Sequence, residues 1–155
     1  MNKTVVMTFA LWTWLVPRAA LACTCFRSPE SKTPAQITRE IAAEVRRSAA
    51  VFSGKVVART PLRITFLVDN VWKGSVSRRF EMASGAVSNA DGSITTSCEF
   101  PFKVGETYVV FAYGSSRQTM HASDCTLTNA LSFAPDTPTY LNRVSRRRQP
   151  QRIRF

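Results

Sequence analysis

The chain has 155 residues, enough for one domain and hardly for two, and carries 21 basic against 10 acidic side chains for a formal net charge of +11. It has a single histidine, His121, and among its carboxylates Asp69, Glu81, Glu99, Glu106 and Asp124 are scattered without paired spacing. The composition therefore points away from acid–base or nucleophilic catalysis and calls for no cofactor.

Lys3 followed by an apolar run over residues 5–16 (VVMTFALWTWLV) and the small-x-small triplet Ala20-Leu21-Ala22 read as a secretory signal spanning residues 1–22. The run is about a dozen residues, against the roughly 20 that a spanning helix requires, and Pro17 and Arg18 close it. Cleavage after Ala22 would deliver a protein to a secreted or periplasmic location with Cys23-Thr24-Cys25 at its start. A domain is expected over residues 23–142. The remainder, 143–155, holds Arg143, Arg146, Arg147, Arg148, Arg152 and Arg154 with no acid among them, and is expected to be a disordered tail able to touch anionic surfaces. A second reading of Ala20-Leu21-Ala22-Cys23 is a lipid-attachment box, which would consume the Cys23 thiol and leave an odd number of cysteines.

Thr33-Pro34-Ala35-Gln36 opens a helix, with Thr33 as N-cap, proline at the first helical position and Gln36 where a capping box places Glu or Gln. Ile37, Ile41 and Val45 give its apolar stripe, and it is expected to end near Ala49. Strands follow over residues 51–60, where Gly54 suits a bulge or tight bend, over 62–72 and over 76–83. Residues 84–93 read as a loop or hairpin connection, residues 107–113 (TYVVFAY) as the strongest strand, and 117–123 as a last short one. Residues 127–133 could be helical. Five or six short strands with one or two helices imply a mainly β protein, a small barrel or sandwich.

The four cysteines, Cys23, Cys25, Cys98 and Cys125, fit two disulfides in an exported domain. Cys23 with Cys25 would close a strained small ring. The other two pairings both tie the N-terminal segment to the 98 and 125 regions, and the residues do not choose between them. A zinc site would need two close cysteine pairs, and Cys98 and Cys125 are too far apart in sequence for that.

Several features in order resemble the tissue inhibitors of metalloproteinases and the netrin-like module they share. These are the Cys23-Thr24-Cys25 start, a helix leading into Val51-Phe52-Ser53-Gly54-Lys55-Val56-Val57, then Val71-Trp72-Lys73-Gly74 at a strand end. Cys98 follows, ahead of Phe102-Lys103-Val104-Gly105-Glu106-Thr107-Tyr108, and Cys125 precedes residues 127–131. The third disulfide and second domain usual in animal inhibitors have no counterpart. The resemblance implies a five- to six-stranded OB-like barrel with flanking helices and the disulfides Cys23–Cys98 and Cys25–Cys125. It also implies that Cys23 chelates a protease's catalytic zinc through its α-amine and carbonyl oxygen. Thr24 would enter the specificity pocket, and Cys25, Phe26, Ser97, Cys98 and Glu99 would complete the inhibitory ridge.

The expected partner is therefore a zinc metalloprotease and the expected state a monomer. A netrin-like interaction module without protease inhibition is the alternative. Barrel aromatics and positive charge also suit single strands of nucleic acid, but an export signal argues against that partner.

Overall fold

A computed structural model of the chain describes Cys25 and residues 31–95, 98–116 and 118–146. The signal assigned to residues 1–22 lies outside them. Helix α1 spans Pro34–Arg47 and begins as its sequence dictates. The Thr33 hydroxyl accepts from Gln36 N, and the Gln36 side chain accepts from Thr33 N at 2.7 Å. Strands β1 (Ala50–Arg59), β2 (Arg63–Lys73) and β3 (Arg79–Ala83) follow as an antiparallel meander. A small hairpin of β4 (Val87–Ser88) and β5 (Ile94–Thr95) forms a separate two-stranded sheet. Strands β6 (Thr107–Ala112) and β7 (Asn129–Ala130) complete the main sheet, whose order is β3-β2-β1-β6-β7. Helix α2 spans Thr137–Arg146.

Period-2 alternation divides this sheet between two cores. On one face Phe52, Val56, Ile64, Phe66, Phe80, Met82, Tyr108 and Val110 meet Phe102. Phe52 stands edge-on to Phe66 at 5.3 Å and to Phe80 at 5.4 Å, the geometry that aromatic quadrupoles favour. On the other face Val51, Val109 and Phe111 pack against Ile41 and Val45 of α1 and Leu141 and Val144 of α2.

The β1–β2 ladder shifts register between Val51 and Phe52, Ser53 and Gly54, and Val56 and Ala58. Such bulges bend and twist a strand. At Gly54 a Cβ would stand 2.7 Å from Leu67 O, so the bend expected there requires glycine.

The fold is mainly β with flanking helices, as expected, but the sheet does not close into a barrel. Its edges are β3 and β7, and β7 is only two residues long. Residues 120–123 reach across the gap through isolated contacts: Ala83 N donates to Met120 O at 2.8 Å, and Tyr113 and His121 exchange backbone bonds at 2.9 Å. The strand expected over 117–123 is thereby reduced to two single bridges, at His121 and Ser123.

The helix envisaged over 127–133 is absent. The side chains of Thr126 and Asn129 take the backbone amides of Thr128 and Ala130, local bonding that competes with a helical ladder, and Thr128 reaches across to accept from Phe111 N of β6. The second helix stands further on. It runs through Arg143 and Arg146, the first arginines of the segment read as tail, with Leu141 and Val144 buried. Residues 147–155 lie outside the described residues.

Candidate functional site

Of the residues expected to act together, Cys25, Cys98 and Glu99 are described, and they meet where the chain between β5 and β6 runs beside the chain before β7. Cys25 is disulfide-bonded to Cys125 across a sequence separation of 100, with Cα atoms 5.0 Å apart. Cys98 is disulfide-bonded as well. Its expected partner Cys23 lies outside the described residues, as do Thr24, Phe26 and Ser97.

Backbone contacts join the 98–100 and 122–124 segments side by side. Asp124 N donates to Cys98 O at 3.1 Å, Glu99 bridges Ser123, and Phe100 N donates to Ala122 O at 3.3 Å. Cys98 itself sits at φ 58, a left-handed conformation that a non-glycine residue keeps only when its surroundings impose it. Cys25, Cys98, Glu99 and Cys125 therefore belong to one ridge.

Glu99 anchors that ridge to the sheet. Arg59, the last residue of β1, donates from Nη2 to Glu99 Oε1 at 3.0 Å and from Nη1 to Phe102 O at 2.8 Å. The second carboxylate oxygen, Glu99 Oε2, is buried and has no hydrogen-bond donor among the described residues. Gly85 lies against the Glu99 backbone end, where an added Cβ would come 3.5 Å from Glu99 Cβ. The β4–β5 hairpin leads from there, its turn held by Asp91, whose carboxylate accepts from Ser93 N and Oγ. Those two bonds keep the Asp91 carboxyl below its ordinary range.

No family model matches the chain, and no curated protein matches it. Among the described residues no group of three or more His, Cys, Asp or Glu side chains could hold a metal ion. His121 is exposed, with Nδ1 3.0 Å from Thr119 O.

The segments that carried the resemblance turn out to support the scaffold. Lys73 Nζ donates to the carbonyls of Val45 at 2.8 Å, Arg46 at 3.0 Å and Ser48, taking up the open end of α1. Trp72 Nε1 donates to Asn142 Oδ1 at 2.7 Å and ties α2 to the same strand end. Gly74 has φ +85, and a Cβ there would strike Ala49 O at 2.8 Å. In the 102–108 segment Phe102 is core, and the Tyr108 hydroxyl donates to Glu106 and accepts from Lys103 N. Burial, then the Glu106 bond, raises the Tyr108 phenol above its ordinary value.

A second polar cluster pins α1 to Tyr113, the residue that follows β6, and to Leu127. Glu44 is only 3% exposed, yet its carboxylate accepts from the Tyr113 hydroxyl, from Leu127 N at 3.3 Å and from Arg47. The hydrogen bond to Glu44 is also the main cause of the raised Arg47 value. This cluster lies within the helix–sheet packing and serves to orient the helix. Read from the sequence, Glu44 falls with Arg39, Glu40, Arg46 and Arg47 on the solvated polar surface of α1, but it is buried, because its place three residues after Ile41 turns it toward the sheet; Arg59 was not singled out. Glu44 stands beside Val45 on the apolar stripe, which is the one hint that its charge is buried.

Proposed function

We propose that the chain is an exported inhibitor-like binding protein that presents Cys23 to the catalytic zinc of a metalloprotease. The observation that carries this reading is the ridge: the Cys25–Cys125 disulfide, the Asp124–Cys98 bond and the Glu99–Ser123 bridge gather segments from three parts of the chain. A ridge braced in this way loses little conformational freedom on docking. With Cys25 tied down, a chain beginning at Cys23 would start two residues from a fixed point. The free α-amine and the carbonyl oxygen of one residue form a five-membered chelate, and catalytic zinc keeps an open position that water otherwise fills. The amine binds zinc only when unprotonated. Its ordinary pKa of roughly 7.7–8 lies close enough to neutrality for a divalent cation to complete the deprotonation. The Cys23 thiol takes no part, being held in the disulfide to Cys98 that the resemblance implies. The described disulfide is compatible with an oxidising compartment, and no helix among the described residues is long and apolar enough to cross a membrane.

The test begins with intact mass and N-terminal analysis of the exported protein, then assays a panel of zinc metalloproteases. Inhibition by a chain starting at unmodified Cys23, abolished when one alanine is added ahead of it, is the expected result. Inhibition that ignores the added residue would sink the chelation mechanism. No inhibition of any panel member, or an acylated N-terminus, would leave a netrin-like interaction module.

A further inference from the structure

The C-terminal halves of the two helices are held by one strand end. Lys73 holds the last carbonyls of α1, and its neighbour Trp72 holds Asn142 in the second half of α2. Adjacent Cα atoms on one chain lie about 3.8 Å apart, so one strand end holds the C-terminus of α1 and the C-terminal half of α2, and the helices also contact each other directly.

Exposed arginines crowd this end: Arg46 and Arg47 on the last turn of α1, Arg143 and Arg146 on the last turn of α2. Arg47 is neutralised by Glu44. Arg46, Arg143 and Arg146 have no acidic partner among the described residues, and Arg143 lies over the Tyr140 ring with its Cζ 5.7 Å from the centroid. No acidic residue follows Asp136 in the sequence, while Arg147, Arg148, Arg152 and Arg154 do.

We propose that the C-terminal ends of α1 and α2, carrying Arg46, Arg143 and Arg146, form a cationic face that docks the protein on an anionic phospholipid surface. Helix-dipole compensation accounts for the two arginines in each last turn, but it acts on each helix separately and gives no reason to bring those of two helices together. A soluble polyanion would satisfy the charge. The lipid surface is favoured because Ile153 and Phe155 alternate with Arg152 and Arg154. Aliphatic and aromatic side chains among arginines suit the boundary between headgroups and acyl chains, a phase no dissolved polyanion provides. The face is independent of Cys23, so protease inhibition and lipid docking can fail separately.

The full chain, purified from an exporting host, is tested by co-sedimentation with phosphatidylcholine vesicles containing roughly one-third phosphatidylglycerol, and with pure phosphatidylcholine vesicles, at low and high salt. At about fivefold per arginine, the Arg143→Gln/Arg146→Gln pair should lose about 25-fold in partitioning and Arg46→Gln about fivefold. High salt should release the protein. Lys55→Gln should change nothing, since Lys55 lies on β1 four residues beyond the Val51–Lys73 pair. Were a glutamine variant to misfold by circular dichroism, Arg143→Lys/Arg146→Lys keeps the charge and should keep binding. Equal binding to pure phosphatidylcholine, or an Arg46→Gln variant that binds like the parent, would overturn the proposal. So would capture by soluble dextran sulfate with no capture by vesicles, which would assign the face to a polyanion.

Discussion

Replacing Tyr113 with phenylalanine isolates the polar pin between α1 and β6. The ring stays, so no cavity opens, and only the hydroxyl that donates to Glu44 is removed. Glu44 Oε1 is then left with Leu127 N at 3.3 Å, a long bond, while the carboxylate remains buried. Hydrogen bonds to a charged group contribute about 1.5–3 kcal/mol, and the loss should fall in that range because the buried acceptor cannot recover water. For a domain of this size that corresponds to a melting point lower by about 5–10 °C. Urea unfolding at neutral pH under non-reducing conditions, followed by tryptophan fluorescence, measures it. A Glu44→Gln partner variant closes the cycle, and the coupling should exceed about 1 kcal/mol for a direct contact. A loss below about 0.5 kcal/mol, the level of an ordinary surface change, would refute the claim that this carboxylate depends on Tyr113.

The same hydroxyl predicts an alkaline limit. Burial first, and the Glu44 bond second, push the Tyr113 phenol up to about 12, whereas it titrates near 10 in an unfolded chain. The folded state holds this proton more tightly, so its contribution to stability is complete below pH 10 and is lost as pH rises from there toward 12. Absorbance at 295 nm should show a tyrosine titrating late, missing in Tyr113→Phe; a normal titration for every tyrosine would contradict the burial argument. Phe52→Ala, at a fully buried ring touching Phe66 and Phe80, should cost about 3–5 kcal/mol by denaturant unfolding, and a cost under 1 would mean that the inner core is loosely packed. Gly74→Ala should destabilise by more than about 1 kcal/mol, from positive φ and the clash with Ala49 O combined, and a neutral result would show that this turn can relax.

The elements with local causes were legible in the sequence. Thr33, Pro34 and Gln36 announced α1, β-branched residues announced β1, the partial alternation of Ile64, Phe66 and Val68 announced β2, the β-rich run over residues 107–113 announced β6, and Gly54 announced its bend. What escaped depended on distant partners. Helix α2 has only Leu141 and Val144 buried, and it is held by Trp72 from seventy positions upstream. Its one local sign was Asp136-Thr137-Pro138, a helix-start pattern lost beside the arginines. The sheet stays open between β3 and β7, and β7 pairs with β6 over only two residues, which no local pattern announces. At the ridge, the cysteine count allowed two pairings and the resemblance selected the one containing Cys25–Cys125, which is formed. Arg59 was invisible because nothing in its neighbourhood points to Glu99, forty positions on.

Strand β1 gives Val51 to one core and Phe52 to the other, and its first five residues are all buried. A slip of one residue would exchange the faces of every side chain on the strand, driving Phe52 into the helices and Val51 into the aromatic cluster. Misregistered chains are thus penalised on both sides at once. Gly54, fitting only against Leu67, acts as the index mark that sets the pairing. During folding, the helix layer and the aromatic cluster can each consolidate only once β1 is in place, so the two should appear together, in a single kinetic step.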